Sequence, residues 1–142
     1  MATGTKEKTS KTSSRENERF LSKFGKNLSK STQRSLWIND PEEHEEHKGQ
    51  SLVTRDHDVI RHWAEERKAQ PATVPGTEHG DHLGVLRFDF PGYGGRELKH
   101  VSWEEWFKTF DDRDLVFVYQ EHKKAGEMSN FFRLDNPHRN DG

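Results

Sequence analysis

A cluster of glycines in "GYGG" looks more like a binding loop than any other stretch of the chain. Gly92, Gly94 and Gly95 follow a strand-like run and precede a helix-like run. A P-loop needs G-x-x-x-x-G-K-[ST] and a dinucleotide loop needs G-x-G-x-x-G, and neither spacing is present. The helix-like run begins only at Ser102, so one phosphate could not easily contact both the glycines and the helix N-terminus. We predict a wide turn with positive φ angles instead of a phosphate-binding loop.

Histidines near carboxylates are the other candidates for chemistry. His44 and His47 stand three residues apart in the acidic segment "NDPEEHEEHKGQ", and His79, Asp81 and His82 share a polar loop. A structural metal site usually needs about four fixed ligands, whereas both segments have the composition of mobile polar chain. No Ser or Thr is marked out as a nucleophile beside a base. We therefore predict no metal site, no cofactor and no catalytic residue, and an enzyme is the less favoured class.

Charge and hydropathy divide the chain in the same way. Residues 1–36 carry nine Lys/Arg against three Asp/Glu, residues 37–51 carry one against five, and residues 52–142 carry thirteen against seventeen. Residues 1–51 contain nine apolar residues and residues 52–142 contain 31. The first part cannot bury enough apolar surface to offset its chain entropy. We predict a disordered arm over residues 1–51, basic over 1–36 and an acidic linker over 37–51.

Part of the basic arm has a helical pattern. Phe20, Leu21, Phe24 and Leu28 share one helical stripe, with lysines on the other sides. The favoured interpretation is a disordered arm with transient helix. The alternative is a basic segment that folds on nucleic acid, an anionic membrane surface or an acidic partner. The candidate partner-binding residues of the arm are Lys23, Lys26, Lys30 and Arg34.

Residues 52–136 are predicted to form a compact α+β domain, followed by a frayed tail over 137–142. The predicted elements are a helix in "TRDHDVIRHWAEERKAQP", strands "ATV" and "VLRFDF", a helix in "SWEEWFKTFDD", and strands "DLVFVYQ" and "MSNFFRL". Ser102 and Glu105 form a capping-box pattern at the start of the second helix. The order α-β-β-α-β-β lacks crossover helices at most strand connections. It favours a small, mainly antiparallel sheet of three to four strands with two helices.

The location is predicted to be cytoplasmic. The chain has no cysteine, which suits a reducing compartment and excludes disulfides and thiolate chemistry. No apolar run approaches the roughly 20 residues that span a bilayer. The N-terminus has no apolar stretch of the secretory type.

Several motifs of residues 54–134 occur in an order that resembles a family of small uncharacterised bacterial proteins. The motifs are "DHDVIRHWAEERKAQPATVPGT", "LRFDFPGYGG", "SWEEWFKTFDDRDLVFVYQ" and "SNFFRL". Members typically show DHD-x-I-R-x-W-x-E-x-R, L-R-x-D-F-P-G-Y and S-W-E-E-F-F. Some carry a label that implies glucan branching, an activity that requires a barrel too large for 142 residues. The resemblance therefore implies a bacterial protein without an established activity.

These observations favour a non-enzymatic binding or accessory protein whose basic arm contacts nucleic acid or an acidic partner. The first alternative is a small ligand-binding domain or enzyme that uses polar residues around the glycine turn at 89–96. Its candidate residues are Arg61, Asp89, Tyr93 and Arg96. The second alternative is a protein inhibitor or a toxin–antitoxin component.

Overall fold

The computed structural model of the chain describes residues 14–80, 82–92 and 97–138. The helices are α1 (Ser14–Phe24), α2 (Lys30–Gln33), α3 (His57–Glu66) and α4 (Trp103–Asp112), with a 3-10 turn at Gly25–Asn27. The strands are β1 (Leu36–Trp37), β2 (Leu52–Thr54), β3 (Gln70–Thr73), β4 (Leu86–Asp89), β5 (Lys99–His100), β6 (Val116–Tyr119) and β7 (Phe132–Asp135). The predicted α+β class is confirmed. The chain divides into two compact units, the first formed by the described residues up to 61 and from 115, the second by residues 62–114.

The first unit is built on a four-stranded sheet in the order β1-β2-β6-β7. β1 is parallel to β2, and the other neighbouring strands are antiparallel. Every residue of β6 is buried, as the continuous apolar run "DLVFVYQ" predicts for a central strand. Val53 pairs with Val118, so these two side chains lie on the same face of the sheet as Val116.

The basic arm belongs to this unit, which corrects the prediction of disorder for residues 14–51. Phe20 and Leu28 are only 8% and 3% exposed, and they share a hydrophobic cluster with three valines of β2 and β6. The prediction from composition was wrong because it counts only the apolar residues within the segment, as if the segment had to form a hydrophobic core alone. The sheet supplies most of the apolar surface, so two well-placed side chains suffice. The disorder predicted for residues 1–13 lies outside the described residues.

The acidic linker is also part of the first unit. Ile38 is buried, and its N–H donates to the carbonyl oxygen of Val53 at 2.9 Å. The N–H of Gly49 donates to the carbonyl oxygen of His122 at 3.0 Å. Partners elsewhere in the chain thus satisfy backbone groups of the segment, although its side chains are strongly acidic.

The second unit contains a three-stranded antiparallel sheet in the order β4-β3-β5, with α4 in contact with β3. α4 begins with the predicted capping box, in which Ser102 and Glu105 each bond the other's backbone N–H. Trp106 stacks on Phe88 with ring centroids 4.9 Å apart, and its indole N–H donates to the carbonyl oxygen of Arg87 at 3.1 Å. Local sequence signals thus predicted α4 and the alternating strand β4.

The predicted order of elements is present as α3-β3-β4-α4-β6-β7, with further elements added. Within the described residues the strands form two sheets, whereas one was predicted. β1 and β2 pair in one sheet with β6 and β7, and β5 pairs with β3 beside β4 in the other. The prediction of a frayed tail over residues 137–142 is wrong for its first two residues. Pro137 is buried, and the ring of His138 lies edge-on to Phe24 with centroids 5.1 Å apart. Residues 139–142 lie outside the described residues.

Candidate functional site

One buried carboxylate holds the basic segment on the sheet. Asp135 of β7 is 4% exposed, and it accepts hydrogen bonds from the backbone N–H of Ser29 at 2.9 Å and from Thr32 Oγ1 at 2.7 Å. Arg133, on the same face of β7, donates to Thr32 Oγ1 at 2.9 Å and to Ser31 Oγ at 2.6 Å. Because these bonds fix α2 on β7, the segment has a defined side toward the sheet and a defined side toward solvent.

The solvent side of the segment carries positive charge. The predicted residues Lys23, Lys26, Lys30 and Arg34 are all exposed, and so is Arg19. These five residues are named the cationic face. Arg19 and Lys23 are four residues apart on α1, and Lys30 and Arg34 are four apart at α2, so each pair lies along one side of its helix.

The packed side chains lie on other sides of the same helices. The buried Thr32 is about 200° around α2 from Lys30, at 100° per residue. On α1, the buried Phe20 is about 100° from Arg19 and about 60° from Lys23, so both cations lie to one flank of the packed side chain. Packing against the sheet therefore turns these cations toward solvent.

On α1 the exposed Glu16 precedes Arg19 by three residues and so lies on the same side of the helix, but no acid follows Arg19 within the segment. The sequence contains no Asp or Glu from Arg19 to Asn39. Among the described residues, none of the five cations forms an ion pair with a carboxylate. Lys23 lies over the ring of Phe24, with Nζ 5.4 Å from the centroid. The cationic face is therefore available to an external anion.

Of the remaining candidates, the structure describes Arg61 and Asp89, which belong to different units. Arg61 is exposed on α3 in the first unit. Asp89 is in the second unit, where its Oδ2 lies 2.7 Å from Nε2 of His100. Gly92 has the positive φ, 84°, that the turn was predicted to need. Tyr93 and Arg96 lie outside the described residues, so the alternative site around the glycine turn stays a prediction.

Four residues that the sequence did not connect form a polar cluster in the first unit. His44 Nδ1 lies 2.8 Å from Glu121 Oε2, and His122 Nδ1 lies 2.6 Å from Glu45 Oε2. The backbone N–H of Glu45 also donates to Glu121 Oε1 at 3.1 Å. These four residues are named the histidine–carboxylate cluster. No local spacing could reveal it, since 77 residues separate the two members of each pair.

The other predicted histidine groups have simpler surroundings. His47 Nδ1 lies 3.2 Å from the carbonyl oxygen of its neighbour Lys48. His79 and His82 are exposed and form an isolated backbone bridge, and Asp81 lies outside the described residues. His47, His79 and His82 are therefore not members of the histidine–carboxylate cluster, whereas His44, the predicted companion of His47, is.

Comparisons with protein-family models, curated proteins and solved structures found no match. Within residues 14–80, 82–92 and 97–138, no helix has both the length and the apolar character required to cross a bilayer.

Proposed function

We propose that this is a non-enzymatic binding protein whose cationic face contacts the phosphate backbone of nucleic acid. The supporting observation is the arrangement of Arg19, Lys23, Lys26, Lys30 and Arg34 on the solvent side of helices that pack on a sheet. Cations gathered on one surface create a positive potential that attracts phosphates and raises the association rate. Such contacts give affinity without sequence preference.

The surroundings of the cations favour nucleic acid over a membrane surface. A helix that binds an anionic bilayer needs an apolar face to insert beside its cations. In this segment Phe20 and Leu28 are buried in the core of the first unit. The protein itself therefore occupies most of the apolar side of the segment, and Leu21 is its side chain that stays 37% exposed.

The same surroundings favour nucleic acid over an acidic protein. Protein interfaces usually have a buried aromatic or apolar centre. Apart from Leu21, Glu16 and Glu18, the exposed neighbours of the cations are instead hydrogen-bonding residues, the type that contacts phosphate and sugar oxygens. They are Ser22, Asn27, Ser31 and Gln33.

The proposal places the protein in the bacterial cytoplasm, where nucleic acid is abundant. The lack of cysteine supports this location. The resemblance to small bacterial proteins supports the bacterial source.

Charge substitutions test the proposal better than deletion, because deleting the segment would remove part of the hydrophobic core. The test variant combines Lys23→Gln, Lys26→Gln, Lys30→Gln and Arg34→Gln. The control combines Lys68→Gln, Arg87→Gln, Lys99→Gln and Lys108→Gln, which removes the same charge from exposed residues of the second unit. Fluorescence anisotropy with a labelled DNA duplex and a labelled single strand measures the affinity across a range of salt concentrations.

The wild-type affinity for the duplex should fall with salt, by about 0.9 log units per log unit of salt for each phosphate contact. The test variant should bind more weakly and show a shallower slope, while the control should match the wild type. Equal losses in both variants, or affinity independent of salt, would refute the proposal. Tighter binding to polyglutamate than to either nucleic acid would assign the face to an acidic protein instead.

A further inference from the structure

We propose that Glu45, Glu121 and His122 bind one divalent transition-metal ion, with His44 positioning Glu121. The four residues belong to the acidic segment before β2 and the loop after β6, both in the first unit. An ion at this point would link the two segments. The inference is independent of nucleic-acid binding, since the cluster contains none of the cations of the cationic face.

The ligand atoms converge closely enough for one ion. One side-chain atom from each of Glu45, Glu121 and His122 lies within 4.8 Å of the others. Two ligands of a tetrahedral zinc ion lie about 3.4 Å apart, given bond lengths of about 2.1 Å. On binding, His122 Nδ1 and Glu45 Oε2 would move apart from 2.6 Å to that spacing by rotation about their terminal bonds, which are broad torsions.

A buried carboxylate oxygen points independently to a ligand. The side chain of Glu45 is only 11% exposed. Its Oε2 contacts His122, whereas its Oε1 is buried and has no hydrogen-bond partner among the described residues. A buried oxygen of an acidic group without a partner is costly. A cation bound between Glu45 and Glu121 would remove that cost.

The mixture of donor atoms selects the class of metal. Imidazole nitrogen suits zinc, iron, copper and nickel, whereas calcium and magnesium prefer sites made of oxygen atoms. Two carboxylates with one imidazole therefore favour Zn²⁺ over Mg²⁺ and Ca²⁺, and Mn²⁺ should bind more weakly than Zn²⁺. The lack of cysteine in the chain excludes a thiolate ligand.

The backbone holds the two segments together without the ion. The N–H of Glu45 donates to Glu121 Oε1 at 3.1 Å, and the N–H of Gly49 donates to the carbonyl oxygen of His122 at 3.0 Å. The N–H of Ser129 donates to the carbonyl oxygen of Glu121 at 3.1 Å. His44 contacts Glu121 from the outside, as second-sphere groups orient metal ligands in other proteins. The ligands are thus preorganised, so little ordering is needed on binding.

Isothermal titration calorimetry of the full chain with ZnCl₂ tests the site. We expect one ion per chain for the wild type, weaker binding of Mg²⁺, and a rise in Tm of about 10 °C when free zinc exceeds Kd a hundredfold. Glu45→Gln and His122→Gln should each weaken zinc binding at least about tenfold, as the loss of metal-site groups does elsewhere. Failure of the wild type to bind zinc or Mn²⁺ would overturn the proposal.

A matched control separates this site from adventitious binding at surface histidines. His62 and Glu66 form an exposed i,i+4 pair at 3.3 Å, and His62→Gln should leave zinc affinity unchanged. An equal loss from His62→Gln and His122→Gln would mean adventitious binding only and would overturn the proposal.

A second measurement uses the unaltered chain, so it decides the matter even if a variant fails to fold. Substoichiometric Mn²⁺ should broaden the amide NMR signals of residues 44–50 and 120–129. Broadening centred on other residues, or no broadening, would contradict the proposed site.

Discussion

Thr32 Oγ1 donates a hydrogen bond of 2.7 Å to Asp135 Oδ2, although 103 residues separate the two in the chain. The bond joins the N-terminal helices to the last strand of the first unit. It makes the basic segment a structural part of that unit. The orientation of the cationic face depends on this contact and on the hydrophobic cluster beside it.

Replacement of Asp135 should destabilise the protein strongly. Asp135→Ala leaves the Ser29 N–H and the Thr32 hydroxyl without their shared acceptor at a buried position. We expect a loss of about 2–4 kcal/mol in the free energy of unfolding, measured by urea denaturation. Asp112→Ala is the control, because its partner Lys108 is exposed and surface ion pairs contribute little. Similar behaviour of the two variants would show that Asp135 does not hold the segment.

The N-terminal segment should contribute apolar packing to the core. Phe20→Ala should lower the free energy of unfolding by about 3–5 kcal/mol and Leu28→Ala by about 2–5 kcal/mol, since both side chains are buried. Leu21→Ala, at a neighbouring side chain that is 37% exposed, should cost much less. Urea denaturation followed by tryptophan fluorescence measures all three. Equally small losses of unfolding free energy in all three variants would support the disordered arm that composition predicts.

Sequence predicted those parts of the fold whose signals are local. Each pattern spans only a few residues: the capping box joins Ser102 to Glu105, and Leu86, Phe88 and Phe90 alternate along one strand. Both patterns are present in the structure. The docking of α1 and α2 was missed because its causes are distant. Asp135 and the valines of β2 and β6 decide whether Phe20 and Leu28 are buried, and no window around residues 14–51 contains that information.

Gly49 should be intolerant of any side chain. It has a φ of +84°, and a Cβ placed there would lie 2.9 Å from Lys124 Cγ and 3.3 Å from backbone atoms of Lys124. Gly76 has a similar φ, +87°, but a Cβ there would meet nothing within 4 Å. Gly76→Ala therefore measures the backbone strain alone, about 1–2 kcal/mol. Gly49→Ala should cost a further 1–3 kcal/mol, roughly, from the steric overlap.

Thermal unfolding of the two glycine variants provides the comparison. A larger drop in Tm for Gly49→Ala would support the close packing of the acidic segment on the loop after β6. Equal drops would indicate that the segment is displaced from that loop in solution.

The cap of α4 should contribute a modest, separable amount of stability. Ser102 Oγ accepts from the N–H of Glu105 at 3.0 Å. Ser102→Ala should lower the free energy of unfolding by about 1 kcal/mol, and Ser102→Asp should restore most of it because aspartate also caps helices. Chemical denaturation measures both. A Ser102→Asp variant no more stable than Ser102→Ala would argue against the capping role.

The candidate surfaces were predictable to different degrees. Lys23, Lys26, Lys30 and Arg34 were identified from charge alone, because solvent exposure is the default for such side chains. The sequence did not predict that the helices hold these side chains in a fixed orientation toward solvent, since that orientation follows from the burial of Phe20 and Thr32 on other sides of the helices. The pairing of His44 with Glu121 and of Glu45 with His122 depends on a contact between distant segments, and a single sequence carries no local trace of it.

The most direct test of the proposed function is an NMR titration of the isotopically labelled protein with a short DNA duplex. If the cationic face binds the duplex, amide signals of residues 19–34 should shift first and most, residues 62–114 should shift little, and high salt should reverse the changes. Shifts confined to residues 62–114, or no shifts at concentrations where the duplex binds, would contradict the proposed function.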